Sequence, residues 1–209
     1  MTQTSKFLKF ASFLFIIGVF LAGCESDYTR LVRSEMAKGI RQDSLLLGIK
    51  FGQDREDFYG TCYNLNQKKL VKQGEGFSVA YEFVDSLTHK EPMPMRVFFY
   101  PGFDTLDIIN EMNMEFAYLY WSPSVRNLHS DSLRPHLMTI LKSWYGGNDF
   151  VMAHIGDHDV PVKVDGNRRI VVLLEDEQRV LVRIQDLSHP TYQHSSVKFE
   201  GKKEEETTE

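Results

Sequence analysis

The sequence predicts an α+β domain, an antiparallel sheet with helices packed on one face, and three observations carry that expectation. Some segments repeat apolar residues at helical spacing, others alternate apolar and polar residues strictly, and the two kinds come in blocks of helix followed by strands, twice over. The blocks permit two tandem halves, 44–121 and 122–187, within one domain spanning 44–187, although no motif repeats residue for residue.

Before the domain, residues 27–38 set Tyr28, Leu31, Val32 and Met36 near helical spacing, with Asp27 as a candidate N-cap and Gly39 as a candidate C′ residue. The segment 24–43 therefore reads either as a short helix or as a tether. From Ser44, the compact apolar run Leu45-Leu46-Leu47-Gly48-Ile49-Lys50-Phe51-Gly52 leads to Asp54, a second candidate N-cap. Phe58, Cys62 and Leu65 then recur at i, i+4 and i+7, one face of a helix running to about Lys69. That spacing makes Cys62 a core thiol rather than a nucleophile, since a reactive cysteine needs exposure and an activating base.

After the Gly74-Glu75-Gly76 turn, Phe77, Val79, Tyr81 and Phe83 alternate with polar or small residues as a half-buried strand does. A turn-rich loop ending in Pro92-Met93-Pro94 leads to a strand over 95–100, closed by Pro101-Gly102. Met112, Met114, Phe116, Tyr118 and Tyr120 share one face of the next strand. The second block opens with Asp131 and Ser132 as caps of a helix whose Leu133, Leu137, Leu141 and Trp144 align, with Pro135 in its first turn and Gly146-Gly147 at its end. Strands follow over 150–155, 160–164, 170–174 and 180–184, with Asp165-Gly166 as a hairpin turn. The last stretch, 188–209, ends in a lysine- and glutamate-rich run without apolar residues and is expected to be a disordered acidic tail.

The amino terminus carries Lys6 and Lys9, an apolar run over 10–21 broken only by Ser12 and Gly18, and then Leu21-Ala22-Gly23-Cys24. A spanning helix needs about 18 or more apolar residues, so this reads as a signal rather than a transmembrane anchor. Leu-Ala-Gly-Cys resembles the lipobox of bacterial lipoproteins. The resemblance implies that 1–23 is a signal peptide removed before Cys24, that the Cys24 sulfur carries a diacylglyceryl group, and that the new amino terminus is acylated by a fatty acid such as palmitate. Two or more chains hold a protein firmly on a membrane, where one holds it marginally. Glu25, Ser26 and Asp27 make an acidic start after the lipid site, and the outer membrane is favoured over the inner. In the domain, Leu47-Gly48-Ile49-Lys50-Phe51-Gly52 followed by a capped helix and strands is similar to the opening of small outer-membrane lipoproteins of the SmpA/OmlA type. Tandem helix-plus-sheet units are similar in outline to β-lactamase-inhibitor-type proteins. Both resemblances imply a binding or assembly role, and the long aromatic strand over 116–121 departs from them.

Removing 1–23 takes away two lysines and no acid, leaving 22 basic against 29 acidic residues and a formal charge of −7. Phosphate backbones are held by excess Lys and Arg, so nucleic acid is not an expected partner. The chain has no G-x-S-x-G elbow, H-E-x-x-H, P-loop or C-x-x-C pair, and no cofactor is expected. The one ligand-dense run is His154-Ile155-Gly156-Asp157-His158-Asp159, in which His154, Asp157 and His158 could share a metal ion only if a turn folds them together; a polar β-turn uses the same residue types. His189 and His194 lie in the expected tail and are read as solvated. Trp121 and Trp144, with Tyr118, Tyr120 and Tyr145, could form a stacking platform for a sugar or peptide, or simply belong to the core. The leading expectation is a noncatalytic, membrane-anchored envelope protein that binds a protein or envelope component. An envelope hydrolase or metal-dependent enzyme and a glycan-binding surface protein are the alternatives.

Overall fold

A computed structural model describes residues 26–85, 93–155 and 158–192. In chain order the elements are α1 (Asp27–Ala37), α2 (Arg55–Gln67), β1 (Val71–Gln73), β2 (Val79–Asp85), β3 (Met93–Phe103), β4 (Ile109–Tyr118), a short 3-10 turn (Arg126–Leu128), α3 (Ser130–Tyr145), β5 (Val151–Ile155), β6 (His158–Asp165), β7 (Arg168–Leu174) and β8 (Val180–Asp186). The eight strands make one antiparallel sheet in the order β1-β2-β3-β4-β8-β7-β6-β5, the α+β architecture expected. Each block of helix plus four-strand meander fills one half of the sheet. The halves meet at β4 and β8, which pair from Glu111 opposite Gln185 to Phe116 opposite Val180.

Strand alternation sorts the side chains onto two faces. Met95, Val97 and Phe99 of β3, Met112, Met114 and Phe116 of β4, Ile170 and Val172 of β7, and Val180, Val182 and Ile184 of β8 are buried in one continuous cluster with Phe58 of α2 and Leu133, Leu137, Ile140 and Leu141 of α3. The turn before α2 adds Leu45, Leu46, Ile49 and Phe51 to the same cluster. Since α2 and α3 share this layer across both halves, the sheet and the two helices form one packing unit.

The helix ends follow their sequence. The Asp54 carboxylate accepts from the Asp57 backbone N–H at 2.8 Å, capping α2 as expected. Helix α3 starts earlier than Asp131 and Ser132 suggest. His129 takes the N-cap position, and the Ser130 N–H and hydroxyl donate to the Glu177 and Asp176 carbonyls of the β7–β8 turn. A neighbouring loop thereby satisfies donors that a capping side chain usually serves. Pro135 accordingly lies beyond the first turn of α3.

Three further features differ from the sequence expectation. Strand β3 does not stop at Pro101-Gly102 but runs to Phe103, with a register shift at Gly102/Phe103. Pro101 is tolerated because β2 reaches only Val79, opposite Phe99, so no β2 ladder bond falls on Pro101. Residues 26–43 are part of the fold: Ser26 caps α1 by accepting from the Thr29 N–H at 3.1 Å. Tyr28, Leu31, Val32 and Met36 pack on Ala153, Val160, Val162, Val164 and Val171. Those valines alternate with the residues beneath α3, so α1 covers the opposite face of the sheet, over β5 to β7. Residues 188–192 likewise form a packed turn rather than the start of a solvated tail, and Tyr192 joins the cluster under α1.

Candidate functional site

Among the described residues, helical cover of the sheet face opposite α2 and α3 falls on one half only, and the turn after β8 touches the other half where Tyr192 donates to Glu111 at 2.9 Å. Over β5–β7 lies α1; over β1–β4 no helix of the described residues lies. That open half presents Arg96 and Phe98 of β3 and Asn113 and Glu115 of β4, all half-buried, whereas the Tyr100 side chain reaches α2, meeting the Phe58 ring at 6.0 Å and accepting from Arg55 at 3.4 Å. A cleft of about 200 Å³ lies there, lined by Ser78, Phe98, Tyr100, Asn113, Glu115 and Arg179 among others. Two of its charges, Arg179 and Glu115, are paired with each other. Arg179 donates from Nη1 to Glu115 at 3.1 Å and from Nε to Asp176 at 2.8 Å, and the Asp176 bond is the main cause that raises the Arg179 pKa. Arg96 stacks its guanidinium 4.7 Å above the Phe98 ring, a cation–π contact that holds both side chains against the sheet. The floor is therefore mixed, with aromatic surface between fixed charges, as in the contact patches of transient interfaces.

A second constellation has the residue types of catalysis but not the access. His136 of α3 lies with Nε2 2.7 Å from Asp85 Oδ2, and Nδ1 3.1 Å from the Tyr118 hydroxyl. The His136 and Asp85 side chains are only 5% and 3% exposed. Burial, helped by the Asp85 charge, raises the Tyr118 pKa. This trio ties α3 to β2 and β4 from inside the core.

A third cluster surrounds the β6–β7 hairpin. Lys163 is fully buried, donating to Asp165, while Asp165 also accepts from the Asn148 N–H at 2.7 Å. Burial lowers the Lys163 pKa, with the Asp165 bond opposing it. Arg168, 2% exposed, donates to the carbonyls of Ser44 and Tyr145 and lies 4.5 Å over the Tyr145 ring. The chain between α1 and Ser44 is strapped to this hairpin. The Gly166 N–H donates to Glu35 at 3.0 Å, Gln42 N–H donates to Asn167 Oδ1, and Asn167 donates to Asp186. Gly166 has φ +54, and a Cβ there would meet the Ile40 carbonyl oxygen at 2.1 Å. Arg169 completes the contact by donating to the Tyr28 hydroxyl at 2.8 Å and to Gln185. Sequence reasoning missed all of these charged residues because Lys and Arg in strands are usually solvated. The available signal was the apolar residues on either side of the Asp165-Gly166 turn, Val160, Val162 and Val164 before it and Ile170, Val171 and Val172 after it, with Lys163 and Arg168 set among them.

The residues singled out in the sequence are not gathered into one site. His154 bonds Asp159 through Nδ1 at 3.0 Å on an exposed hairpin, its side chain 74% exposed. The register pairs His154 with Asp159 and His158 with Ile155. Asp157 lies outside the described residues, as does the His158 side chain, and no group of three metal-ligating side chains occurs among the described residues. Trp144 lies against Phe83 and Phe116 at ring separations of 5.3 and 6.3 Å, partly in the core. Trp121 packs near His129 at 5.9 Å, with its indole N–H buried and without a hydrogen-bond acceptor among the described residues. Tyr145 is sealed beside Arg168, donating to the Leu45 carbonyl at 2.9 Å. The two tryptophans thus serve different packing neighbourhoods. Cys62 is half-buried against the main cluster, and burial pushes its thiol up to about 11. His189, expected in the tail, has Nε2 3.2 Å from Asp104 and Nδ1 3.2 Å from the Asn110 amide. It pins the turn after β8 to the β3–β4 hairpin. Cys24 and His194 lie outside the described residues.

No family model, curated protein or solved structure matches this chain.

Proposed function

We propose that the chain is a lipid-anchored, noncatalytic envelope protein whose open sheet face over β1–β4 receives another protein or an envelope component. The observation that carries this reading is the one-sided helical cover of the sheet among the described residues: α1 occupies the face over β5–β7, while the half bearing Phe98, Asn113 and Glu115 keeps a cleft beside a half-buried aromatic ring. A sheet face with a paired arginine and a ring held under a guanidinium is preorganised for contact. The His136–Asp85–Tyr118 group, which has the residue types of acid–base chemistry, is sealed inside, with its His136 and Asp85 side chains only 5% and 3% exposed. The anchor supports an address in the bacterial envelope, the outer membrane by preference, with Cys24 as the attachment point.

Two measurements test the reading separately. A photo-crosslinking residue at Phe98, in intact envelopes, is expected to capture a discrete partner, while the same residue at Tyr63 on the exposed side of α2 captures none. Equal capture at both positions removes the open face as the binding surface. Mass spectrometry of the native protein is expected to find Cys24 as the acylated first residue, and an unmodified thiol there removes the anchor.

A further inference from the structure

The sheet has two rims, and they differ. At one, β1 is three residues long and carries Lys72, whose ammonium pairs with Glu82 at 2.6 Å. Short length and a charged side chain are the usual protections of an edge strand. At the other, β5 contains neither, nor any proline or bulge: Val151, Met152, Ala153 and His154 run in unbroken register with β6.

The main-chain groups of β5 can be assigned from one residue. Met152 is opposite Pro161, which has no N–H, so this is a non-hydrogen-bonded pair. Such pairs alternate with bonded ones along an antiparallel ladder, which makes His154–Asp159 a second non-bonded pair. The N–H and C=O of Met152 and His154 therefore point away from β6, out of the sheet. No backbone bond to them is found among the described residues.

We propose that this edge pairs antiparallel with β5 of a second copy of the chain, extending the sheet through a two-fold axis between the two Ala153 residues. Placing Met152 opposite the second copy's His154, and the reverse, brings all the outward donors and acceptors of 152 and 154 into register as four hydrogen bonds. Ala153, small and 3% exposed, lies at the axis. Residues 151–155 carry no carboxylate or ammonium, so no like charges face each other along the paired strands. The axis stands perpendicular to the sheet, so both copies of α1 fall on the same face. Helix α1 lies over β5 and β6, and its Tyr28, Leu31, Val32 and Met36 remain only half-buried. A second α1 beside it covers apolar surface that one copy leaves wet. The same placement suits two chains anchored in one membrane, though the pairing stands whether or not Cys24 carries lipid.

The test uses the full chain purified in detergent, with mass measured by light scattering. The unchanged protein is expected to show the mass of two chains. Met152→Pro removes an outward N–H without touching the β5–β6 ladder, and Met152→Lys sets a charge at the rim; both are expected to halve the mass with an unchanged circular dichroism spectrum. Met152→Lys decides the matter if the proline variant does not fold. Tyr63→Lys, far from the rim on α2, should keep the two-chain mass. A one-chain mass for the unchanged protein overturns the proposal, and so does a two-chain mass retained in Met152→Lys. A photo-crosslinker at position 152, in envelopes holding two differently tagged copies, should join the tags; its failure beside a two-chain mass assigns the contact elsewhere and overturns the β5 pairing.

Discussion

His136 Nε2 and Asp85 Oδ2 lie 2.7 Å apart across the gap between α3 and the end of β2, both side chains almost wholly shut off from water. A buried imidazole that reaches a carboxylate on one side and the Tyr118 hydroxyl on the other fastens helix to sheet through two strands. Truncating it should be expensive, because desolvated polar groups lose partners that water cannot replace. His136→Ala is expected to lower stability by about 3 kcal/mol, read as a shift of the urea midpoint with an unchanged slope.

Lys163 and Asp165 should respond unequally to removal. Asp165→Ala strands a fully buried ammonium beside Arg168 and should cost about 3–5 kcal/mol. Lys163→Met leaves Asp165 with the Asn148 N–H and Arg168, 3.7 Å away, and should cost markedly less. Parallel denaturation of the two variants checks the order.

The docking of α1 should weaken in acid. Burial would raise the Glu35 pKa, but bonds from Lys38, the Gly166 N–H and Asn148 outweigh it, and the net shift is downward from 4.5. A carboxyl with a depressed folded value stabilises the folded form above its unfolded value, and that contribution fades as pH falls through the folded one. Cleavage near Lys38 and Arg41 by an acid-tolerant protease should therefore rise below about pH 4. Glu35→Gln should raise cleavage at neutral pH and flatten the dependence.

Gly166→Ala tests the same strap sterically. The added methyl meets the Ile40 carbonyl at a backbone angle that disfavours a side chain, so a loss of about 1–3 kcal/mol is expected. Hydrogen exchange should quicken in α1 before the central strands respond.

Cys62 should alkylate slowly in the native protein. With its pKa moved from 9.0 to about 11, the thiolate fraction near neutral pH falls about 100-fold. In a Cys24→Ser background, labelling should await denaturant.

Much of this architecture could be read from periodicity, because Phe58, Cys62 and Leu65 in α2 and Met112, Met114 and Phe116 in β4 each obey a single face rule. Three-residue β1 is too short to display any period. The β4–β8 seam joins residues about seventy positions apart, and nothing local encodes it. The interior charges escaped for a different reason. Lys163 and Arg168 look like ordinary surface residues until the fold buries Lys163 on Asp165, which the Asn148 N–H also holds, and brings the Ser44 and Tyr145 carbonyls to Arg168. His189 was misplaced in the same way, since its partners Asp104 and Asn110 belong to another hairpin. The face without helical cover among the described residues is equally nonlocal, because the position of α1 decides which half it is.

Helix α1 begins at Asp27 and is fastened to the body by Tyr28, Glu35 and the Gly166 clasp. Only three peptide links separate Cys24 from Asp27, a reach of about 11 Å at full stretch. Under the proposed acylation of that cysteine the body would have no stalk: it would ride flush with the headgroups, and whatever it meets would have to come down to the bilayer surface.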